Sequence, residues 1–380
     1  MAIFQLLSSL VHFAPGSGGA PNASALWRSW FSNILARNSQ RLLENESLAD
    51  SPDRLLAISK PLCTRLLAAM DYPGAPELKA EAVEDLLMYM YRRAVKIGLP
   101  LNTPLSSKGF RLGYSMGLFS HPRHPLEVQG YVGLFTWIVV QYDDIVGQDN
   151  DMMEDAMLFQ RRFFNGEPQG NPLLEGMAEL IREAHNHFDP VLANLLQVSA
   201  LKFLSANLLE RHEGFEKMEV TRDGIKFPDF LRDLAGINVA YAVFCYPKAM
   251  YPDVNVFLEA FPDMMRIIDI ANDVLSFYKE ELGGDMRNYI HNRALTTGKP
   301  LPAVLEDTLQ ETIDCAKRVD RILAGKGIYH DTWKESVRGY IAMHTTNPRY
   351  KFKDMGLSEV HPLTPFEGRI DDLFESMTPK

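Results

Sequence analysis

Apolar residues recur at mixed spacings of three and four over most of this chain, which is the period of an amphipathic α-helix. Stretches that alternate apolar and polar residues, as β-strands do, are scarce. Residues 131–140 are apolar on most faces of such a helix, which favours a central, buried position. The pattern predicts an all-α bundle of about ten helices or more. It is clearest in residues 25–44, 77–97, 127–141, 190–211 and 227–249.

One flexible stretch, PGSGGAP at residues 15–21, divides the chain into two parts. Proline and glycine at this density favour a linker. We therefore expect a flexible N-terminal arm at residues 1–21 and a single helical domain at residues 22–380. A chain of 380 residues buries roughly three quarters of its unfolded surface, which is enough for one large core.

The charge, the cysteines and the apolar runs argue against several classes of protein. The net charge is −10, whereas a nucleic-acid partner requires a basic stripe. Cys63, Cys245 and Cys315 are widely spaced and form no CxxC pair, which argues against a disulfide frame or a zinc site. No wholly apolar run reaches about 18 residues, and the start MAIFQLLSSLVHF lacks the basic residues of a signal peptide. We expect a cytoplasmic protein with no nucleic-acid partner and no transmembrane segment.

Two carboxylates follow directly on the most apolar predicted helix. Asp143 and Asp144 come after the largely apolar residues 134–142, and Asp149 follows shortly afterwards. Carboxylates at the mouth of an apolar cavity suit Mg²⁺, a hard ion that prefers oxygen ligands. A solvated helix end with acidic capping is the alternative explanation.

A second group of oxygen-bearing side chains lies at helical spacing. Asn272, Ser276 and Glu280 stand at positions i, i+4 and i+8, so each step turns only about 40° and all three share one helix face. The mostly apolar residues 264–271 precede them, which favours a buried helix over the alternative of a polar stripe on a solvated one. If the two groups face each other across a cavity, Mg²⁺ held between them would bind a diphosphate.

Together these motifs resemble those of class I terpene cyclases, in particular the fungal trichodiene-synthase family. NDVLSFYKE at residues 272–280 is similar to the family's second metal motif, and Arg232 lies 40 residues before it, where the family carries a diphosphate-sensing arginine. Residues 347–350 (NPRY) are similar to the family's C-terminal Arg-Tyr pair. The resemblance covers about residues 101–351. It implies a single-domain terpenoid-synthase helical bundle around an apolar active-site well.

The resemblance also implies a reaction. A linear isoprenyl diphosphate, taken to be farnesyl diphosphate, would be ionised with three Mg²⁺ ions bound, and its carbocation would cyclise to a sesquiterpene. The metal ligands would be Asp143, Asp144, Asn272, Ser276 and Glu280. The diphosphate would be held by Arg232, Lys279, Arg349 and Tyr350, which with Asp143 would be the catalytic residues. Homodimers occur in the family.

The first motif departs from the family pattern at one position. The family usually has another acid three residues after its second Asp. Here that position is Gly147, and the next acid is Asp149. The sequence therefore leaves open whether Asp144 and Asp149 are metal ligands.

An isoprenoid carbocation requires a dry apolar wall, and aromatic faces stabilise its positive charge. Trp137, two turns before Asp144, is the foremost candidate for that wall. Further candidates are Phe135, Phe203, Tyr241, Phe244 and Trp333. Ordinary core packing is the alternative explanation for each of them.

Two other functions share part of this pattern. A chain-elongating prenyltransferase has the same implied fold and metals, but its second motif is normally Asp-rich, whereas here it consists of Asn, Ser and Glu. A non-catalytic helical scaffold would not bring Asp143, Asn272 and Arg232 together around a cavity. A structure that separates these three residues would favour the scaffold.

Each cation assigned to the diphosphate also has a simpler explanation. Arg232 is bracketed by Asp229 and Asp233, which permits a surface ion pair. For Lys279 the alternative is an ordinary solvated lysine, and for Arg349 it is an ordinary surface arginine.

Overall fold

The computed structural model describes residues 51–99, 103–146 and 150–376. No residue in these ranges lies in a β-strand, and the predicted all-α class is confirmed. The helices are α1 Pro52–Ala69, α2 Ala80–Ile97, α3 Pro104–Ser120, α4 Leu126–Ile145, α5 Asn150–Asn165, α6 Pro172–His187, α7 Pro190–Glu210, α8 Glu213–Glu216, α9 Phe227–Ala235, α10 Asn238–Phe244, α11 Phe261–Gly283, α12 Tyr289–Thr297, α13 Leu301–Leu323, α14 Ile328–Thr346 and α15 Glu367–Ser376. The predicted arm and the helix predicted at residues 25–44 lie outside the described residues.

Helix α4 is buried along nearly its whole length, as its apolar pattern predicts. It packs most extensively against α3, where glycines allow the two backbones to approach closely. A Cβ built on Gly113 would lie 2.1 Å from the carbonyl oxygen of Gly133 on α4, a distance that no side chain tolerates. Helices α2 and α6 also contact α4, and α14 packs against α3. At the C-terminal end of this central helix the chain leaves the core, and there Asp143 is exposed and Asp144 is half-buried.

Helix α11 forms the second central element and contacts α1, α10 and α13. Pro262 lies in its first turn, where a missing backbone N–H costs nothing, and Gly284 ends it in the left-handed conformation with φ 73°. Ile267, Ala271 and Val274 are buried in the core. The helix is therefore fixed at both ends and along its apolar face, which orients the polar face that bears Asn272.

A sharp break between α9 and α10 brings Arg232 towards α11. Ile237 holds a left-handed backbone with φ 49°, a strained conformation for a β-branched residue. Gly236 next to it leaves room for Asp269, since a Cβ there would lie 1.9 Å from a carboxylate oxygen. Asn238 donates a short hydrogen bond to the same carboxylate. These contacts with α11 compensate for the strain of the break.

One described helix, α7, is long and apolar enough to cross a membrane by length and composition. Half of its most apolar window is buried, and it contacts α6, α9 and α10. Packing within the bundle explains the buried half of that window, while Val191, Leu195 and Val198 are exposed. No clear membrane span is present in the described part of the chain.

We predict that Gly113→Ala lowers the free energy of unfolding by about 3 kcal/mol, because the new methyl group meets the α4 backbone, which cannot move aside. Gly368→Ala is the matched control, since nothing lies within 4 Å of a Cβ at that exposed helical position. The control should be neutral or slightly stabilising. Chemical denaturation of both variants measures the difference, and equal effects would contradict the packing of α3 on α4.

Candidate active site

Asp143 and Asp144 lie at the C-terminal end of α4, where the helix dipole disfavours negative charge. Arg211 brings positive charge to one side of this helix end and donates a hydrogen bond to the backbone carbonyl of Asp143 at 3.1 Å. Arg349 brings positive charge to the other side, where its Nη2 lies 3.5 Å from Oδ1 of Asp144. Desolvation, with a smaller contribution from the Asp144 carboxylate, raises the pKa of Asp143. A further cation at this position would favour the ionised form of both carboxyl groups.

Asn272, Ser276 and Glu280 project from one face of α11, as their spacing predicts. The Ser276 hydroxyl donates to the Glu280 carboxylate, which joins two members of the set directly. Asn272 and Glu280 line one polar cavity of about 150 Å³, together with Arg232. Ser276 is fully buried, and Glu280 keeps only 15% of its side chain exposed. The alternative of a polar stripe on a solvated helix does not describe this arrangement.

His344 on α14 fixes the orientation of Asn272. Its Nδ1 lies 2.8 Å from the Tyr340 carbonyl and therefore carries the proton, which leaves Nε2 to accept from the Asn272 amide at 3.1 Å. Burial lowers the pKa of His344 to about 4, so the ring is neutral near pH 7. The Asn272 oxygen is consequently directed to the opposite side, where it accepts from Arg232 at 3.4 Å.

Arg232 is paired with α11 and not with its neighbours in sequence. Its guanidinium lies 3.0 Å from Asp273 and 3.7 Å from Asp269, both of which are buried. Burial alone would lower the pKa of Arg232, but these two carboxylates more than reverse the effect and hold it above its usual value. Asp229 and Asp233 instead pair with other cations, so the surface ion pair permitted by the sequence does not form.

The segment after α14 connects the two motifs. Arg349 and Tyr350 belong to the 3₁₀ turn Pro348–Tyr350, and Arg349 reaches Asp144 on α4. The Lys279 ammonium lies 5.8 Å from the centre of the Tyr350 ring and 3.7 Å from the Glu280 carboxylate. A continuous series of contacts thus runs from the first motif to the second. Of the three residues that distinguish a catalyst from a scaffold, Arg232 and Asn272 meet at one polar cavity, and Asp143 lies near Glu210, which lines the same cavity.

Glu210 and Arg211 at the end of α7 also belong to the site, although the sequence analysis did not select them. Glu210 lines the polar cavity with Asn272 and Glu280. Burial, followed by the nearby Asp143 carboxylate, raises the pKa of Glu210 to about 7. The signal in the sequence was the same one that Asp143 and Asp144 gave, namely charged residues that directly follow a long apolar helix.

An apolar cavity lies between α1, α3, α10, α11 and α14. Its empty space is about 480 Å³, but only about 20 Å³ is wide enough for the centre of a water molecule, so the cavity is a narrow slot. Ala271, directly before Asn272, lines it, and Tyr340 joins it to the polar cluster by packing on His344 at 4.8 Å. The cavity therefore adjoins the polar site.

Two of the predicted wall residues, Tyr241 and Trp333, line this cavity. The other aromatic candidates pack elsewhere among the described residues. Trp137 lies edge-on to Phe110 between α3 and α4, Phe203 packs on Tyr142, and Phe135 packs on Phe244. Tyr340, which the sequence analysis did not select, is a further aromatic residue of the lining.

The donor set of the two motifs fits Mg²⁺. Mg²⁺ prefers oxygen ligands, which here come from carboxylate, amide and hydroxyl groups. Proteins usually bind this ion through only one or two carboxylates, and in the second motif Glu280 is accompanied by Asn272 and Ser276. No group of three or more His, Cys, Asp or Glu side chains close enough to hold a metal occurs in the described residues. A site shared between the two motifs is consistent with that finding, because Asn272 and Ser276 are of other residue types. Asp149 and Gly147 lie outside the described residues.

Comparison with solved structures identifies the fold. The linalool/nerolidol synthase of Streptomyces clavuligerus, solved in complex with 2-fluorogeranyl diphosphate, matches with a TM-score of 0.53 at 12% identity. The match covers 72% of this chain and 97% of the solved chain. At such low identity the match concerns the fold, which is that of the class I terpene synthases.

Comparison of sequences identifies the family. The sequence model of the trichodiene synthase (TRI5) family matches residues 64–363. Terpene synthase BipA of Cochliobolus sativus is 34% identical over 290 residues, which are 76% of this chain and 87% of that protein. Longiborneol synthase CLM1 of Gibberella zeae is 34% identical over 309 residues, which are 80% and 90% of the two chains. The chain belongs to the trichodiene synthase family of terpene synthases, and the resemblance drawn from its motifs is confirmed.

We predict that Glu210→Gln stabilises the metal-free protein more at pH 8 than at pH 5.5, by about 1–2 kcal/mol. The pKa of Glu210 is about 7 in the folded protein, against an ordinary 4.5. Its contribution to stability is therefore complete below about pH 4.5 and is lost as the pH rises through about 7. Glutamine does not titrate and escapes that loss.

Urea unfolding in the presence of a chelator at both pH values measures this difference. Glu179→Gln, at an exposed position on α6, is the control and should show the same effect at both pH values. A Glu210→Gln variant that is equally stabilised or destabilised at the two pH values would show that Glu210 is ionised normally.

Proposed function

We propose that the protein is a Mg²⁺-dependent, cytoplasmic sesquiterpene cyclase that ionises farnesyl diphosphate and cyclises the resulting carbocation. The observation that carries this proposal is the series of contacts from Asp144 through Arg349, Tyr350 and Lys279 to Glu280. Tyr350 packs on His344, and His344 packs on Tyr340, which lines an apolar cavity. Such a site presents cations and metal-binding oxygens to a diphosphate and an apolar slot to a hydrocarbon chain. Membership of a terpene synthase family supports the same class of reaction.

The chain's own residues supply three kinds of contact for the diphosphate. Arg232 and Arg349 offer planar guanidinium groups that match phosphate oxygens, and Lys279 offers a point charge. Tyr350 donates through its hydroxyl, and burial raises its pKa, which keeps it protonated. Mg²⁺, held by Asp143, Asp144, Asn272, Ser276 and Glu280, would neutralise charge on the leaving diphosphate. These groups favour cleavage of the allylic C–O bond, because negative charge develops on the leaving oxygens.

The adjoining cavity governs the fate of the carbocation. Tyr241, Trp333 and Tyr340 present aromatic faces, each of which stabilises a nearby cation by about 0.5–2 kcal/mol. Met116 and Ile268 complete walls that exclude bulk water from the carbocation. Since the slot is narrow, the isoprenoid chain must displace side chains on entry and is held in a folded conformation by them.

Longiborneol is the product that we propose to test first. The longiborneol synthase of Gibberella zeae is similar over most of both chains. Trichodiene or another sesquiterpene is the alternative product within the same reaction class. A chain-elongating prenyltransferase is disfavoured by the Asn, Ser and Glu of the second motif, and a non-catalytic scaffold by the convergence of the two motifs.

Two further features are implied by the family alone. Three Mg²⁺ ions are the number that the resemblance implies, and they would be shared between the end of α4 and the polar face of α11. A homodimer is likewise a prediction of the resemblance. The proposed reaction depends on neither the number of ions nor the oligomeric state.

Incubation of the purified protein with farnesyl diphosphate, with and without Mg²⁺, tests the proposal. We expect a cyclic sesquiterpene in the organic extract only when Mg²⁺ is present, identified by gas chromatography and mass spectrometry. A product longer than the substrate, formed when isopentenyl diphosphate is added, would favour the prenyltransferase. Recovery of unchanged substrate from geranyl, farnesyl and geranylgeranyl diphosphates alike would contradict catalysis.

We predict that Glu280→Gln weakens Mg²⁺ binding at least tenfold and lowers turnover with it, because an amide oxygen replaces a charged ligand. Protection against thermal unfolding by Mg²⁺ with inorganic diphosphate measures binding apart from activity. The exposed Glu179→Gln should retain the wild-type titration. An unchanged Mg²⁺ titration in Glu280→Gln would refute its role as a ligand.

The first motif allows a similar comparison of Asp143 and Asp149. We expect Asp149→Asn to retain near-wild-type turnover, because Asp143 and Asp144 end the buried helix and Asp144 already contacts Arg349. Asp143→Asn should reduce turnover by 100-fold or more, since it removes the leading carboxylate. A large loss in Asp149→Asn would make that residue the missing acid of the motif.

A further inference from the structure

A buried histidine lines the apolar cavity away from the diphosphate site. His121 follows the last residue of α3, and only 2% of its surface is exposed. In the described part of the chain its Nδ1 has no hydrogen-bond partner. The ring stacks on His124 at 4.7 Å and meets the edge of Phe244 at 6.5 Å. A polar atom left unpaired in the interior costs free energy, so its retention calls for an explanation.

Two hydroxyl groups line the same cavity. Ser120 donates to the sulfur of Met116 at 3.1 Å, and Ser336 accepts from the Cys245 thiol at 3.3 Å. Each hydroxyl oxygen therefore keeps hydrogen-bonding capacity. The hydroxyls of Tyr241 and Tyr340 are directed elsewhere, since they donate to Thr136 and to the Ile268 carbonyl.

The cavity has room for one water molecule beside these polar side chains. About 20 Å³ is open to the centre of a water molecule. One water requires roughly 10–15 Å³ by the same measure and two to four polar partners. His121, Ser120 and Ser336 all line the cavity and are its three candidate partners for a water, whereas the rest of the lining is mostly apolar.

We propose that His121, Ser120 and Ser336 bind a single water molecule in the cavity, and that this water captures the carbocation to give a terpene alcohol, with His121 accepting the proton. The inference rests on the proposed function, because it concerns how the carbocation made at the polar site is consumed. It adds the residues that would bind the water and accept its proton when the product is an alcohol such as longiborneol.

The step balances without any further reactant. A lone pair of the water oxygen forms the new C–O bond to the cationic carbon, which gives a protonated alcohol. One O–H bond of that group then breaks, its electron pair stays on oxygen, and the proton is bound by the lone pair of a ring nitrogen of His121. On product release the proton passes to solvent or to the free diphosphate.

The environment of His121 keeps the lone pair available. Burial, and to a smaller extent His124, lowers the pKa of His121 well below its usual value, so the ring is neutral near pH 7. A weak base is sufficient, because a protonated alcohol is a very strong acid. Confinement of one water among apolar walls also limits premature capture of earlier carbocations.

The test compares His121→Phe, His121→Asn and Ser336→Ala with wild type in water enriched in ¹⁸O. We expect the wild-type alcohol to contain ¹⁸O. We expect His121→Phe and Ser336→Ala to lower the ratio of alcohol to hydrocarbon at least tenfold and threefold, respectively. Mg²⁺-dependent release of diphosphate should stay within about threefold of wild type in both. His121→Asn, which keeps a polar group, should retain more alcohol than His121→Phe.

Controls separate this inference from the proposed function. His185→Phe, on α6, should leave the product ratio unchanged, and circular dichroism reports whether each variant is folded. If His121→Phe does not fold, Ser336→Ala and His121→Asn decide the question. Diphosphate release with only hydrocarbon products, or an unchanged alcohol fraction in the folded variants, overturns the inference alone. A wild-type protein that releases no diphosphate from any isoprenyl substrate overturns the proposed function and the inference together.

Discussion

Asp143 and Asp144 end a helix that is buried along most of its length, so two like charges meet the negative end of a helix dipole at a partly desolvated surface. That arrangement is unfavourable unless cations are brought to it. Arg211 and Arg349 come from two other helical segments and do so in part. In the proposed function, bound metal ions would neutralise the negative charge that these arginines leave at this end of the bundle.

The polar face of α11 forms the second part of the site and holds a cation, Arg232, in place. Arg232 is held by Asp269 and Asp273, and burial raises the pKa of Asp273 to about 7 despite that arginine. The guanidinium is therefore fixed beside Asn272 before any ligand binds. Lys279 and Tyr350 close the gap to the first motif. In the proposed function these fixed groups would be organised in advance for a diphosphate that binds with metal ions, and such preorganisation lowers the energy of a charged transition state.

Helical periodicity allowed the all-α class and the common face of Asn272, Ser276 and Glu280 to be predicted from the sequence. It could not identify His344 or Glu210, because they reach the site only through the placement of α14 and α7 in the folded bundle, where His344 contacts Asn272 and Glu210 shares a cavity with it. Trp137 shows the same limit. The glycines of α3 let that helix approach α4 closely, so Trp137 packs on Phe110 instead of lining the apolar cavity. The lining of the cavity by Tyr340 and His121 likewise depends on how five helices meet.

A crystal structure of the protein with Mn²⁺ in place of Mg²⁺ and with inorganic diphosphate tests the central claim most directly, since anomalous scattering locates each metal ion. The account predicts metal between the carboxylates at the end of α4 and the Asn272, Ser276 and Glu280 face of α11. It also predicts the diphosphate in contact with Arg232, Lys279, Arg349 and Tyr350. Metal bound at only one motif, or diphosphate bound away from these four residues, would contradict it.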